Sequence, residues 1–231
     1  MKIAVINFSG NVGKSTVAKH LLKPRMNNCD IITVESINSD DNGGEKIRGK
    51  QFGEMLEVMA LMDDVVVDIG ASNVEELIQQ MKQYRGSHED FDYYVVPTSA
   101  KPKQQRDTIN TIDFLSEIGV PAKKIRLLMN MVEPEEIPER LFAGLFEFHK
   151  EEKTFTLNPK AVMHANDIYS KLSNGDLTIE GILGDPTDLK EQLKAATDQG
   201  EKLRISRLIG VKRLAIGVKE ELDDVFKALT K

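Results

Sequence analysis

Residues 10–16 read Gly-Asn-Val-Gly-Lys-Ser-Thr and follow closely on the apolar run Ile3-Ala4-Val5-Ile6. Lysine and two hydroxyls behind a pair of glycines are the residue types that hold phosphate. The glycines let backbone N–H groups approach an anion, a lysine supplies a point charge, and a serine hydroxyl ligates Mg2+. If the stretch joins a strand to a helix, loop N–H groups and the helix dipole converge on one locus. Lys14 then reaches the β- and γ-phosphates of a nucleotide, and Ser15 takes the metal. The general pattern G-x-x-x-x-G-K-[ST] places its first glycine at position 8, which is Phe8 here. A glycine turn before a helix capped by Ser15 or Thr16 is the plainer reading of the same residues.

Other groups invite chemistry less strongly. Asp68 ends the apolar run Val65-Val66-Val67, a position from which a carboxylate faces a metal or simply caps the next turn. Asp40 stands in Asn-Ser-Asp-Asp-Asn-Gly-Gly (38–44), which also reads as a solvated turn. His149 and His164 have no cysteine or acidic partner at ligand spacing, so zinc is not indicated. No G-x-S-x-G elbow occurs, and Cys29 reads as a core residue.

The elements that must carry these residues alternate between short apolar runs and helix-like stretches, the pattern of a parallel sheet with crossover helices. Strands are expected at Lys2–Phe8, Asp30–Val34, Asp64–Ile69, Tyr93–Pro97 and Ile125–Val132, with Thr154–Leu157 as the last. Helices are expected at Thr16–Leu22, halted by Pro24, at Phe52–Leu61, and from an Asn73 cap to Tyr84. Two more follow, from Arg106 to Ile118 and at Val218–Leu229. Lys14 is expected on an exposed loop. The expected class is α/β, a mostly parallel central sheet flanked by helices. A nucleotide-binding domain would run over 1–185, and a C-terminal helical extension packed on it over 186–231.

With 40% hydrophobic and 29% charged residues the chain is of ordinary globular composition. Its net charge of −6 argues against coating nucleic acid over the whole surface. Locally, Lys202, Arg204, Arg207, Lys212, Arg213 and Lys219 form a basic stretch suited to DNA phosphates. Glu201, Glu220, Glu221, Asp223 and Asp224 flank it, as on a merely solvated helix face. A single cysteine excludes an internal disulfide, no apolar run nears membrane-spanning length, and the N-terminus lacks a signal-peptide pattern. A cytoplasmic location is expected, with nucleoid or plasmid association if DNA is bound.

The opening stretch resembles the deviant Walker A motif of ParA/MinD ATPases, N-x-K-G-G-x-G-K-[ST]-T, in which the glycine at position 8 is not required. Asn7, Gly10, Gly13, Lys14, Ser15 and Thr16 match, and the likeness in order and spacing extends to about residue 185. It implies an Mg2+-dependent ATPase, slow or stimulated by a partner, binding ATP or ADP through Ser9 to Thr16. It further implies that Asp68 holds a metal-bound water beside Ser15, and that Asn130 and the loop at Pro159 hold the base. The family's acids after its second strand fall at Glu35 and Ile37, which leaves Asp40 or Asp41 to orient the attacking water. Partners implied are a second copy in the ATP state and a plasmid-encoded DNA-binding protein. The process served is plasmid stability, by partition or conjugal transfer.

Two positions depart from the motif. The family's signature lysine, which reaches across a dimer to the partner's phosphates, is Ser9, and one of its glycines is Asn11. Lys101 and Lys103 are candidate replacements for that charge. Two functions therefore stand open: a hydrolysing switch, or a nucleotide-binding adaptor that works through its DNA-binding partner.

Overall fold

Six strands of the computed structural model, which describes residues 1–34, 49–172 and 178–231, form one sheet. They are β1 Lys2–Val5, β2 Asp30–Val34, β3 Val65–Ile69, β4 Tyr93–Thr98, β5 Ile125–Val132 and β6 Val162–His164. Their order is β2-β3-β1-β4-β5-β6 and every pairing is parallel. A parallel strand covered on both faces reads as a continuous apolar run, and Val-Val-Val-Asp-Ile of β3 is buried at all five positions. Period-two alternation sends Ala4 and Ile6 to the face where Leu77, Ile78 and Met81 pack, and Ile3 and Val5 to the other.

The helices are α1 (residues 14–25), α2 Gly49–Ala60, α3 Val74–Gln83, α4 Pro102–Glu117, α5 Pro138–Leu141, α6 Ala143–Glu152, α7 Asp167–Leu172, α8 Ile179–Gly184, α9 Leu189–Ala195 and α10 Gln199–Thr230. From β1 the chain passes to β2 on one side of the sheet, while β4 passes to β5 on the other. The strand order thus reverses between β1 and β4. In open α/β sheets, ligand crevices form at such a reversal, past the carboxyl ends of the strands.

Four sequence expectations need correction. Pro24 does not halt α1, which continues to Arg25 through a π-helical stretch at Val17–Leu22. The wider turn and the missing proline N–H free carbonyls, and Arg25 Nη1 donates to those of His20 (3.0 Å) and Leu21 (3.1 Å). Asn73 precedes α3, but its side chain does not cap that helix; Nδ2 donates instead to Val34 O, 3.0 Å away. Thr154–Leu157 is not the last strand: Thr156 makes one isolated bridge to Arg126, and β6 follows. The last helix begins at Gln199 rather than Val218 and runs 32 residues. Gly210 and Gly217 sit inside it, since an interior glycine costs only about 1 kcal/mol against alanine and need not end a helix.

The described chain forms two compact units, residues 1–165 with 225–231, and residues 166–224. The expected division after residue 185 falls inside the second. No helix among the described residues is long and apolar enough to cross a membrane.

Candidate functional site

The segment between β1 and α1 is held from below by buried polar side chains. Asn7, fully buried, donates through Nδ2 to Pro97 O (2.9 Å) and Thr108 Oγ1 (2.8 Å), and its Oδ1 accepts the Ser9 N–H (2.7 Å). Thr108 Oγ1 also donates to Gln104 O (2.7 Å) and lies 2.9 Å from Thr98 Oγ1. The Phe8 N–H donates to Thr111 Oγ1 at 3.1 Å, and the Phe8 ring meets Phe114 edge-on, centroids 5.4 Å apart. Buried polar groups must find partners, and here β4 and α4 supply them, fixing the first half of the loop.

The second half turns at Gly13, whose φ of +80° lies in the left-handed region. A Cβ there would overlap Asn130 Nδ2 and come within 3.3 Å of Met131 Cε. Only glycine fits. Immediately after this turn α1 starts, with the Val17 N–H bonded to Gly13 O at 2.9 Å. Contrary to expectation, Lys14 is buried, at 6% exposure, because its ammonium folds back to donate to Ser9 O (2.7 Å) and Asn7 O (3.2 Å). Burial pushes the Lys14 pKa down, and the nearby Asp68 carboxylate opposes that shift.

A cavity of about 610 Å3 opens in front of this loop. Gly10, Asn11 and Gly13 to Thr16 line it from the loop and the start of α1, and Asp68, Gly70 and Ala71 from the end of β3. Lys101 joins them from beyond β4, and Met131 from the end of β5. Every contributor lies at or past the carboxyl end of a strand, and the volume suits a small-molecule ligand. Glycine N–H groups, an ammonium and the hydroxyls of Ser15 and Thr16 make a cradle for phosphate. Ser15 and Asp68 line the same space, a hydroxyl and a carboxylate oxygen of the kind Mg2+ takes when phosphates and water complete its shell. No three His, Cys, Asp or Glu among the described residues form a cage that would hold a metal by themselves.

The other expected site residues fall as follows. Ser9 (3% exposed) and Val12 are buried within the loop and do not line the cavity. Asn130 donates through Nδ2 to Val12 O (2.8 Å), and its Oδ1 accepts the Met131 N–H (2.9 Å), so its amide braces the loop. Pro159 is exposed in the turn between the Thr156 bridge and β6, not beyond the end of the last strand. Asp40, Asp41, Glu35 and Ile37 lie outside the described residues. Of the two candidate lysines, Lys101 lines the cavity, whereas Lys103 pairs with Asp107 at 2.8 Å. In α10, Lys202, Arg204, Arg207 and Arg213 are exposed. Lys212 donates to Asp185 O (2.8 Å) and Lys219 pairs with Asp223 (2.7 Å).

Sequence reasoning passed over Thr98, Thr108, Thr111 and Met131. For the threonines the available signal was a pair three residues apart on α4, next to the apolar Ile112 and Leu115. Such spacing puts two hydroxyls on an inward helix face, where they need partners. Met131 stands out only through its backbone: its φ of +59° accompanies a register shift between Asn130 and Val132.

Six parallel strands with a glycine loop past the carboxyl end of β1 make an α/β fold of the ParA/MinD type. Solved structures show the likeness. Apo McdA of Cyanothece superposes with a TM-score of 0.57 at 11% identity, over 99% of this chain and 98% of that one. The MinD cell division protein of Aquifex aeolicus gives 0.53 at 11% identity, over 96% of each chain. No protein-family model and no curated protein matches the sequence.

Proposed function

We propose that this protein is an ATP-binding P-loop ATPase that serves plasmid stability as a nucleotide-controlled switch. One observation carries the reading: Lys14, Ser15 and Asp68 converge on a single cavity at the carboxyl edge of the sheet. The loop N–H groups and Lys14 hold the phosphates, and Ser15 and Asp68 hold Mg2+, directly or through water. Mg2+ held by these two residues would supply positive charge against the terminal phosphate. Thr16 follows on α1 toward the α-phosphate, and Asn130 keeps the loop in shape behind it. Asp40 orients the attacking water.

The start MKIAVINFSGNVGKST resembles that of the StbB plasmid stability proteins of conjugative plasmids, so the cellular task is partition or conjugal transfer. ATP draws two copies together, and a plasmid-encoded DNA-binding protein engages that state. Exposed Arg204, Arg207 and Arg213 on α10 suit salt-sensitive contacts with DNA phosphates.

Ser9 favours a second reading. Its side chain is small, uncharged and buried, so position 9 gives no charge to a partner's phosphates. On that reading the protein binds nucleotide, hydrolyses little and acts as an adaptor. Phosphate release with and without plasmid DNA and partner separates the two. The switch predicts turnover that Asp68→Ala suppresses more than it suppresses binding; absence of turnover under every condition leaves the adaptor.

A further inference from the structure

We propose that Lys101 supplies the second positive charge for the terminal phosphate, from within the same chain, in place of the charge that position 9 lacks. This assignment rests on the nucleotide reading above. A triphosphate carries more negative charge than one Mg2+ and the Lys14 ammonium offset, and a further cation beside its terminal group favours ATP over ADP. Among the described residues that line the cavity, only Lys14 and Lys101 are basic. Lys14 stands at the loop base, where it also donates to the carbonyls of Asn7 and Ser9. Ser9 is buried and does not line the cavity.

The backbone at Lys101 is fixed. It is the cap residue of α4 in extended conformation (φ −66°, ψ 134°), its carbonyl accepts the Gln105 N–H at 3.1 Å, and Pro102 sets the first helical φ. The side chain is exposed and has no hydrogen-bond or ion-pair partner among the described residues, unlike Lys103, which Asp107 neutralises. Lys101 also sits at the positive end of a 16-residue helix, whose dipole adds to the field its ammonium puts into the cavity. The same helix braces the phosphate loop through Thr108 and Thr111. Loop and cation therefore belong to one rigid arrangement, and no second copy is needed to bring the charge in.

The test uses the full chain, titrated with Mg2+·AMPPNP and with Mg2+·ADP at concentrations where sedimentation reports monomer. Lys101→Ala is expected to weaken AMPPNP binding at least tenfold and ADP binding less than threefold, on the order of one partly exposed charge contact. Lys101→Arg should retain most of the AMPPNP preference, and Lys103→Ala should leave both affinities unchanged. Melting temperatures should not move, because both side chains are exposed. An AMPPNP-to-ADP ratio unchanged by Lys101→Ala overturns the assignment while leaving the nucleotide site intact. So does a loss seen only at concentrations where the protein dimerises, which would make the charge act between copies. A parent chain that binds neither nucleotide removes the nucleotide reading itself.

Discussion

Gly13→Ala attacks the loop at its tightest point. The added methyl meets two obstacles: a φ of +80° that alanine resists, and the Asn130 amide, with which it overlaps. The left-handed conformation costs about 1 kcal/mol. Displacing Asn130 breaks its 2.8 Å bond to Val12 O, worth about 1 kcal/mol, and a buried carbonyl left without a donor adds about 1 kcal/mol or more. Together these predict a loss of about 3 kcal/mol in urea denaturation at unchanged slope. Gly10→Ala is the control: its φ is not positive and no atom lies within 4 Å of the added Cβ, so a change under about 0.5 kcal/mol is expected. In a double variant with Asn130→Ala the steric part should vanish, so the two costs should not add. If Gly13→Ala is as stable as Gly10→Ala, Asn130 does not clamp the loop and the reasoning fails.

Thr108→Val removes the hydroxyl between Asn7, Gln104 and Thr98; a loss of about 1–3 kcal/mol is expected, with severalfold weaker nucleotide binding by titration. A variant as stable as the parent would show that the network under the loop is idle. Ser9→Lys restores the motif's lysine in name only: the position is buried, so the variant should melt lower and turn over no faster in a phosphate-release assay. Faster turnover would mean that the loop opens to let the lysine out. His20 is buried on α1 with its pKa pushed down to about 4, chiefly by burial and further by Lys19. The folded state therefore keeps it neutral. That stability is fully present above its unfolded pKa of about 6.5 and is lost as pH falls toward 4. Urea denaturation at about pH 7.5 and about pH 5 should differ by about 2 kcal/mol from this residue, and His20→Gln should remove that part. An equal slope in both proteins would place the titration elsewhere.

Periodicity located the sheet well because β3 and β5 are buried on both faces and carry the apolar runs Val65–Val67 and Leu127–Met129. It failed at the sheet's far edge, where Thr156 touches β5 once, the chain turns at Asn158, and three residues of β6 resume the pairing. A strand of three residues leaves no period to read. The first half of the site was legible because phosphate binding needs glycine, lysine and hydroxyl in one local stretch. What surrounds that stretch was less so: Lys101 and Asn130 were named through the family resemblance and Thr108 not at all, because all three meet the loop across roughly a hundred residues of chain, through the register of β1 with β4 and of β4 with β5. Asn130 illustrates the difference. The resemblance implies a base contact for it, and the fold gives its amide a bond to the Val12 carbonyl that no local pattern announces.

Calorimetric titration of Mg2+·AMPPNP into the parent chain and into Lys14→Ala tests the central claim most directly. The account predicts saturable binding at one site per parent chain. It predicts at least hundredfold weaker binding to Lys14→Ala, with the circular dichroism of the two proteins unchanged, because the lysine is the loop's only committed cation. Equal affinity in the two proteins, or no binding to the parent, would contradict it.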